Sequence, residues 1–575
     1  MIKLFRQLRP FVWIILAVLI LVFLQSLSDL YLPTLMADII DKGVVQEDIP
    51  YIWKIGGFML AVAALGAICA IAASYYSAKV SMSFGKRLRG NVFSHVEAFS
   101  LQEFDQVGTA SLITRTTNDI TQVQMVLNLL LRVMVTAPMM AIGGIIMAFS
   151  RDSKISVVIL IAVPILFAVV LFVVKKGMPL FKKVQVKLDQ VNRVLRENLT
   201  GVRVIRSFNT IDYEKKRFDL ANGDLTDISI KVNKIMAVMM PAMMFIMNIT
   251  SIAIVWFGAI RIDHGNMQVG DLMALLQYAM QIMFSMVMLS MMFVLIPRAS
   301  ASADRINEVL EMSPVIKETE KMDINAVKKG YVEFKNVTFR YPGAEAPALT
   351  DISFSAKPGE VTAIIGGTGS GKSTLIKLIP RFYEIEGGSI EIDGVESNQY
   401  TLNDLRAKMG LVPQKAVLFT GTVAENIRFG NEAASMEDVK HAADIAQATN
   451  FISAMKDGFD SDISQGGTNV SGGQKQRLSI ARALVRKPEI YLFDDSFSAL
   501  DFKTDAKLRA ALKSETKEST MFIVAQRVST TMDADRIIVL DQGKVAGIGT
   551  HKQLMDSCDV YKEIVSSQLS EEEIA

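Results

Sequence analysis

The sequence predicts a multi-domain chain: a six-helix, all-α transmembrane domain followed by a soluble α/β domain. Three observations carry this reading. Half of the 575 residues are hydrophobic and the mean hydropathy is positive. That apolar content is concentrated before about residue 300. Beyond it, short β-like runs alternate with helix-like ones, the pattern of a parallel sheet covered by helices. A single hydrophobic core stops growing near ~250–300 residues, so a chain of this length divides. The division is expected as 1–300 for the transmembrane domain, 301–330 for a polar linker and 331–575 for the soluble domain.

Six stretches are long and apolar enough to cross ~30 Å of hydrocarbon, which takes ~20 residues. They are roughly 11–35, 55–78, 122–149, 155–176, 236–260 and 271–297. The first is a retained span rather than a cleaved signal, because its apolar run continues through Leu30 and Tyr31 without a small-residue cleavage site. Basic residues set the orientation. Lys3, Arg6 and Arg9 precede the first span; Lys79, Lys86, Arg87 and Arg89 follow the second; Lys175, Lys176, Lys182 and Lys183 follow the fourth. The alternate connections are short. A multi-pass protein of the cell membrane is expected, with both termini and the soluble domain in the cytoplasm. Residues 79–121 and 177–235 are charged and helix-patterned, so spans two to five should continue as helices far beyond the lipid.

Some intramembrane residues admit two readings. A carboxylate such as Asp29 costs about 2.5–3.5 kcal/mol at a helix centre. It therefore either faces protein or water in a cargo or gating role, or sits near the outer interface. Pro33 is expected to kink the first span. Spans five and six carry Met236, Met239, Met240, Met243, Met244 and Met247, then Met280, Met283, Met286, Met288, Met291 and Met292. Methionine is flexible and polarizable and suits a promiscuous binding surface, but it fills cores equally well.

Other classes are excluded early. A net charge of +2 gives no argument for nucleic acid. Cys69 and Cys558 are too far apart to suggest a disulfide or metal site, and the four histidines are scattered. His264 reads as incidental, and Glu571-Glu572-Glu573 as a solvated tail.

The soluble half carries the chemistry. Gly366-Gly367-Thr368-Gly369-Ser370-Gly371-Lys372-Ser373-Thr374 follows the β-like run Val361 to Ile365 and opens an apolar helix. This is the context of a phosphate-binding loop. Glycines let backbone N–H groups wrap phosphates, Lys372 reaches the β- and γ-phosphates, and the Ser373 hydroxyl ligates Mg²⁺. Downstream, Ile490-Tyr491-Leu492-Phe493-Asp494 reads as a buried strand ending in a carboxylate that holds Mg²⁺ in P-loop NTPases.

Between them lies Val470-Ser471-Gly472-Gly473-Gln474-Lys475-Gln476-Arg477. It resembles the signature of ATP-binding cassette (ABC) domains, with Val470 where leucine is usual. The resemblance implies that Ser471, Gly472, Gly473 and Gln474 contact ATP bound by an opposing cassette. It also implies that Tyr341 stacks on adenine, that Gln414 senses Mg²⁺ and the γ-phosphate, and that Ser498-Ala499-Leu500-Asp501 couples the two sites. In the membrane half, Phe104-Asp105, Gly108 and Arg115-Thr116-Thr117-Asn118-Asp119 resemble the first intracellular segment of type IV exporters. Glu197-Asn198 and Gly201 through Phe208 resemble the second.

Two positions depart from the family pattern. After the Mg²⁺ aspartate the family usually has glutamate, thought to polarise the attacking water; here it is Asp495. One methylene withdraws the carboxylate by ~1.5 Å, when a general base must come within ~2.6–3.2 Å of its proton. The family's switch histidine is Gln526 here, a donor that cannot accept a proton. The pair resembles the degenerate subunit of heterodimeric bacterial multidrug exporters. That resemblance implies a weak ATP site of its own, a partner chain bearing the ordinary Glu and His, and a hydrophobic or amphiphilic small-molecule cargo. The alternatives are a non-hydrolysing regulatory subunit, an ATP-gated channel, or a half-exporter for lipid or heme.

Overall fold

The computed structural model describes residues 1–317 and 329–569; the acidic end Glu571-Glu572-Glu573 lies outside them. The chain forms two compact units. One comprises Met1–Glu97 with Ala110–Met312, and the other Ala98–Thr109 with Ser313–Ala575.

The first unit holds six helices apolar and long enough to span a membrane: α1 Lys3–Val44, α2 Ile49–Glu97, α3 Thr109–Arg151, α4 Ser153–Thr200, α5 Ile211–Asp263 and α6 Val269–Glu311. At ~1.5 Å per residue the 53 residues of α5 reach about 80 Å, far more than the ~30 Å of a hydrocarbon core. The helices thus outrun their apolar stretches, as the charged helical patterning predicts. Two interruptions were not expected. Between α2 and α3 stands a short helix, Leu101–Val107. It starts with a capping box, in which Ser100 and Glu103 satisfy each other's backbone amides, and stops at Gly108 with φ 79°. Between α4 and α5 stands a second, Val202–Ser207. Pro33 lies inside a helical stretch that continues to Asp38 and passes into a π-helical turn over Ile39–Val44. The sixth helix runs to Glu311, into the stretch expected as linker, of which residues 318–328 lie outside the described residues.

Where α1–α6 meet, polar groups pair internally. Asp119 accepts from the Ser302 hydroxyl and from Arg305 Nε, each at 2.8 Å. Asp152 caps α4, accepting from the Lys154 and Ile155 amides at 2.9 and 3.0 Å and from Arg261 Nε at 2.8 Å. The buried Tyr278 donates to the Leu30 carbonyl at 3.0 Å and lies 2.7 Å from the Thr34 hydroxyl. Buried polar groups are paired in this way almost everywhere in folded proteins. The methionines divide. Met243 and Met283 are buried with Ala162 and Leu166, with Met239, Met247 and Met286 packed against them, whereas Met240, Met244, Met280 and Met288 are exposed.

The second unit is an α/β domain. Its main sheet has six strands in the order β12-β11-β3-β10-β9-β6, where β3 is Val361–Gly366, β6 Met409–Val412, β9 Ile490–Asp494, β10 Thr520–Val524, β11 Arg536–Asp541 and β12 Lys544–Gly549. All neighbours are parallel except β11 and β12. A four-stranded antiparallel sheet, β2-β1-β4-β5, is built from β1 Val332–Phe339, β2 Leu349–Ala356, β4 Gly387–Ile392 and β5 Val395–Glu396. The central strands β9 and β10 are buried at every position, as strands covered on both faces must be.

Candidate functional site

Ligand sites in open parallel sheets form beyond the carboxyl ends of the strands. Four strand ends deliver the sequence-predicted residues to one place. The loop after β3 carries Gly366–Gly371 and enters α7, Lys372–Leu378. Gly371 sits at φ 100°, where an added Cβ would lie 2.6 Å from Leu349 Cδ2; only glycine makes this turn. The end of β9 carries Asp494 and Asp495, the end of β10 carries Gln526, and the segment after β6 carries Gln414. A cavity of about 320 Å³ is lined by Tyr341, Thr368, Lys372, Ser373, Gln414 and Gln526 among others.

Within it the loop offers donors. Lys372 Nζ donates to the Gly366 and Gly367 carbonyls at 2.9 and 2.7 Å, so no carboxylate claims it. Burial pushes its ammonium below the usual lysine range, with Asp495 and Asp494 acting the other way. The Ser370 hydroxyl is buried and has no hydrogen-bond partner among the described residues, an orphan that an anion cradled in this loop would satisfy. Ser373 Oγ donates to Asp494 Oδ1 at 2.7 Å. With Gln414 beside them, these form an all-oxygen donor set of the kind a hard divalent cation such as Mg²⁺ takes. The Tyr341 hydroxyl lies 3.0 Å from that of Thr374, and its ring meets Phe339 and Tyr383 edge-on.

Asp495 stands apart. Its backbone is held at φ 48°, and its amide donates to the Val524 carbonyl at 3.0 Å. The side chain is 7% exposed. One oxygen, Oδ2, accepts from Gln526 Nε2 at 2.8 Å and from Gln414 Nε2 at 3.1 Å. Desolvation raises this carboxyl above the usual aspartate range, and the hydrogen bonds of Gln414 and Ser498 oppose it. The sequence offered Asp495 as a water-activating base and Gln526 as a phosphate donor; here the two residues bind one another.

A second face of the unit presents Ser471 at the N-terminus of α8, Gly472–Leu484. Ser471 and Gln474 form a capping box, with the Gln474 amide donating to Ser471 Oγ at 3.3 Å and the Ser471 amide donating to Gln474 Oε1 at 2.8 Å. The serine and Gly472 are exposed. A Cβ on Gly473 would lie 3.1 Å from the Ala499 carbonyl, so this glycine lets the signature pack against the Ser498–Asp501 loop. Asp501 then caps α9, Phe502–Glu515, by accepting from the Thr504 amide at 3.0 Å.

Sequence reasoning singled out Asp105 but missed the cluster that holds it. Tyr383 donates to Asp105 Oδ2 at 2.9 Å, Leu101 packs on the core of the antiparallel sheet, and Glu103 Oε1 accepts from the Val315 amide at 3.1 Å. The Ser-x-x-Glu pattern at Ser100 and Glu103 was the available signal.

A six-span domain followed by a P-loop domain with this signature defines an ATP-coupled membrane transporter. Two family profiles match: ABC transporter transmembrane region over residues 15–286 and ABC transporter over residues 349–498. An uncharacterized ABC transporter ATP-binding protein of Mycobacterium tuberculosis is 41% identical over 568 residues, covering 98% of this chain and 97% of its own. The YfiB protein of Bacillus subtilis, also uncharacterized, is 40% identical over 98% of each chain. An ATP-dependent lipid A-core flippase of Pseudomonas aeruginosa is 33% identical over 92% of this chain and 87% of its own. Among solved structures, a bacterial Atm1-family ABC exporter with ATP bound superposes with a TM-score of 0.80 at 25% identity, over 97% of this chain and 98% of that one. The chain belongs to the ABC transporter family and has the exporter fold: a multi-pass membrane protein whose cassette binds ATP and couples it to transport.

Proposed function

We propose that this chain is the degenerate-site half of a heterodimeric exporter of hydrophobic or amphiphilic compounds. The supporting observation is the double amide clamp on Asp495, whose Oδ2 already carries two hydrogen bonds from Gln414 and Gln526. With that oxygen already accepting from two amides, the carboxylate is poorly placed to accept from an attacking water, and neither amide can take a proton in its stead. In this reading Tyr341 meets the adenine, the loop 366–371 and Lys372 hold the phosphates, and Ser373, Gln414 and Asp494 hold Mg²⁺. The cation, when bound, neutralises charge on the β- and γ-phosphates. Ser471, Gly472, Gly473 and Gln474 serve the ATP of a partner bearing the usual Glu and His. The cassette lies on the cytoplasmic side, as the basic connections predict.

The test is the ATPase rate of this chain co-purified with a second half-transporter, each site disabled in turn. Changing the partner's glutamate should lower turnover by about 10²–10⁴-fold, whereas Asp495→Asn should leave it nearly unchanged. If this chain purifies alone as a dimer whose brisk ATPase activity is abolished by Asp495→Asn, the reading fails. A second reading, a lipid-flipping half, is favoured by the relatives named as lipid A-core flippases; headgroup-labelled lipid translocation in proteoliposomes separates it from small-molecule export.

A further inference from the structure

The membrane unit holds a second cavity, of about 480 Å³, between α1, α3 and α6. Volumes of this order take drug-sized ligands. Its floor is unusual for a membrane helix bundle. Asp29 lines it, with Gln25 one turn before and Gln277 and Gln281 opposite. Among the described residues no lysine, arginine or histidine lines the cavity, and no ion pair reaches Asp29. By contrast, Asp119 and Asp152 in the same unit each have an arginine. Gln281 Nε2 donates to the Asp29 carbonyl at 3.1 Å, and its Oε1 is buried without a partner among the described residues. The site therefore offers one uncompensated carboxylate and one unfilled acceptor, both asking for a donor with positive charge. Around them stand Met280, Met288 and Phe284, all exposed. Thioethers adapt to irregular apolar groups, and an aromatic face attracts a cation.

We propose that this cavity is a binding site for an amphiphilic organic monocation carrying at least one N–H, its ammonium on Asp29 and Gln281 and its apolar body on the methionines and Phe284. An anionic headgroup would instead meet Asp29 unneutralised. The inference rests on the amphiphilic-cargo part of the proposed function, and it is independent of which ATP site hydrolyses. The same ammonium chemistry is available from a soluble amine or from an ethanolamine headgroup.

The test uses the full-length chain in nanodiscs of a zwitterionic choline lipid. A hydrophobic secondary amine, charged at neutral pH, is compared with its neutral amide of the same shape, binding being read by isothermal titration against empty nanodiscs. The amine should bind about tenfold tighter than the amide. Asp29→Asn should bring the two together, with amide binding retained, and Asp29→Glu should keep most of the preference. Gln281→Leu should weaken the amine alone. Adding phosphatidylethanolamine to the nanodiscs sorts the source: competition assigns the site to the headgroup, its absence to soluble amines. If both probes bind equally to the unmodified chain, or the preference survives Asp29→Asn, the cation site is overturned while amphiphile binding stands. If neither probe binds, the cargo reading falls together with the site.

Discussion

The two units differ in what they expose rather than in what they bury, for the membrane unit too hides large apolar side chains, Phe84, Leu88 and Tyr278 among them. In the nucleotide-binding unit the largest hidden side chains are apolar, Phe334, Phe339, Phe493 and Phe522 among them, and charged groups lie mostly outside. In the membrane unit Trp13, Trp53 and Leu60 are 82%, 79% and 74% exposed, while Ser26, Ser77 and Thr250 are buried. One rule accounts for both. Apolar surface is driven inward only where the surroundings are water. In hydrocarbon that drive vanishes, and the energy to be gained is packing and the pairing of polar groups between helices. Identical substitutions should therefore act differently in the two units.

The contrast can be broken, beginning with the largest effects. Phe493→Ala should destabilise the nucleotide-binding unit by about 3–5 kcal/mol, seen as an early thermal unfolding step of the purified protein. In the membrane unit a smaller effect should come from a polar residue. Asp119→Ala removes the acceptor of Ser302 and Arg305, and because Arg305 is half exposed and can turn to water the cost should be about 1–3 kcal/mol; a melting temperature unchanged by this variant would undo the comparison. Ser77→Ala, which loses a 2.7 Å bond to the Asn128 side chain, should cost only about 0.6 kcal/mol. At the small end, Trp53→Ala should change stability by less than ~0.5 kcal/mol in nanodiscs, and a large loss would mean that the face is covered.

Asp495 sharpens the comparison from the other side, as a carboxylate buried in the water-built unit. Because its folded-state pKa is raised, the folded state holds the proton more tightly than the unfolded one. The burial cost is thus absent at acid pH and appears as pH rises through the carboxylate range. Asp495→Asn should accordingly raise the melting temperature of the nucleotide-free protein at neutral pH by a few degrees, about 1 kcal/mol or less. The gain should vanish as the buffer is taken down through that range. A stabilisation that persists in acid would place its cause elsewhere.

What the sequence disclosed was what lies close along the chain. The loop 366–374, the strand into Asp494 and the Ser471 signature are contiguous, and each works through its own backbone, so order alone identifies them. Six apolar runs disclosed six helices for the same reason. The grip of Gln414 and Gln526 on Asp495 was not legible, because these residues lie 81 and 31 positions away and meet only where three strand ends converge. The Asp119–Arg305 pair joins α3 to α6 across 186 positions and was equally invisible. The breaks at Leu101–Val107 and Val202–Ser207 were hidden differently, since helical patterning persists through both.

The short helix Leu101–Val107 has a consequence for how the protein can be cut. Although encoded between the second and third spans, it belongs with the unit that starts at Ser313, tied there by Tyr383 and the Val315 amide. The two modules are thus not separable by a single scission of the chain. A cassette expressed from residue 331 onward would bare the apolar footprint of Leu101 and leave Tyr383 without its acceptor. Restoring that plug as a fused peptide, or as a free one added in solution, is the natural route to a soluble, well-behaved fragment.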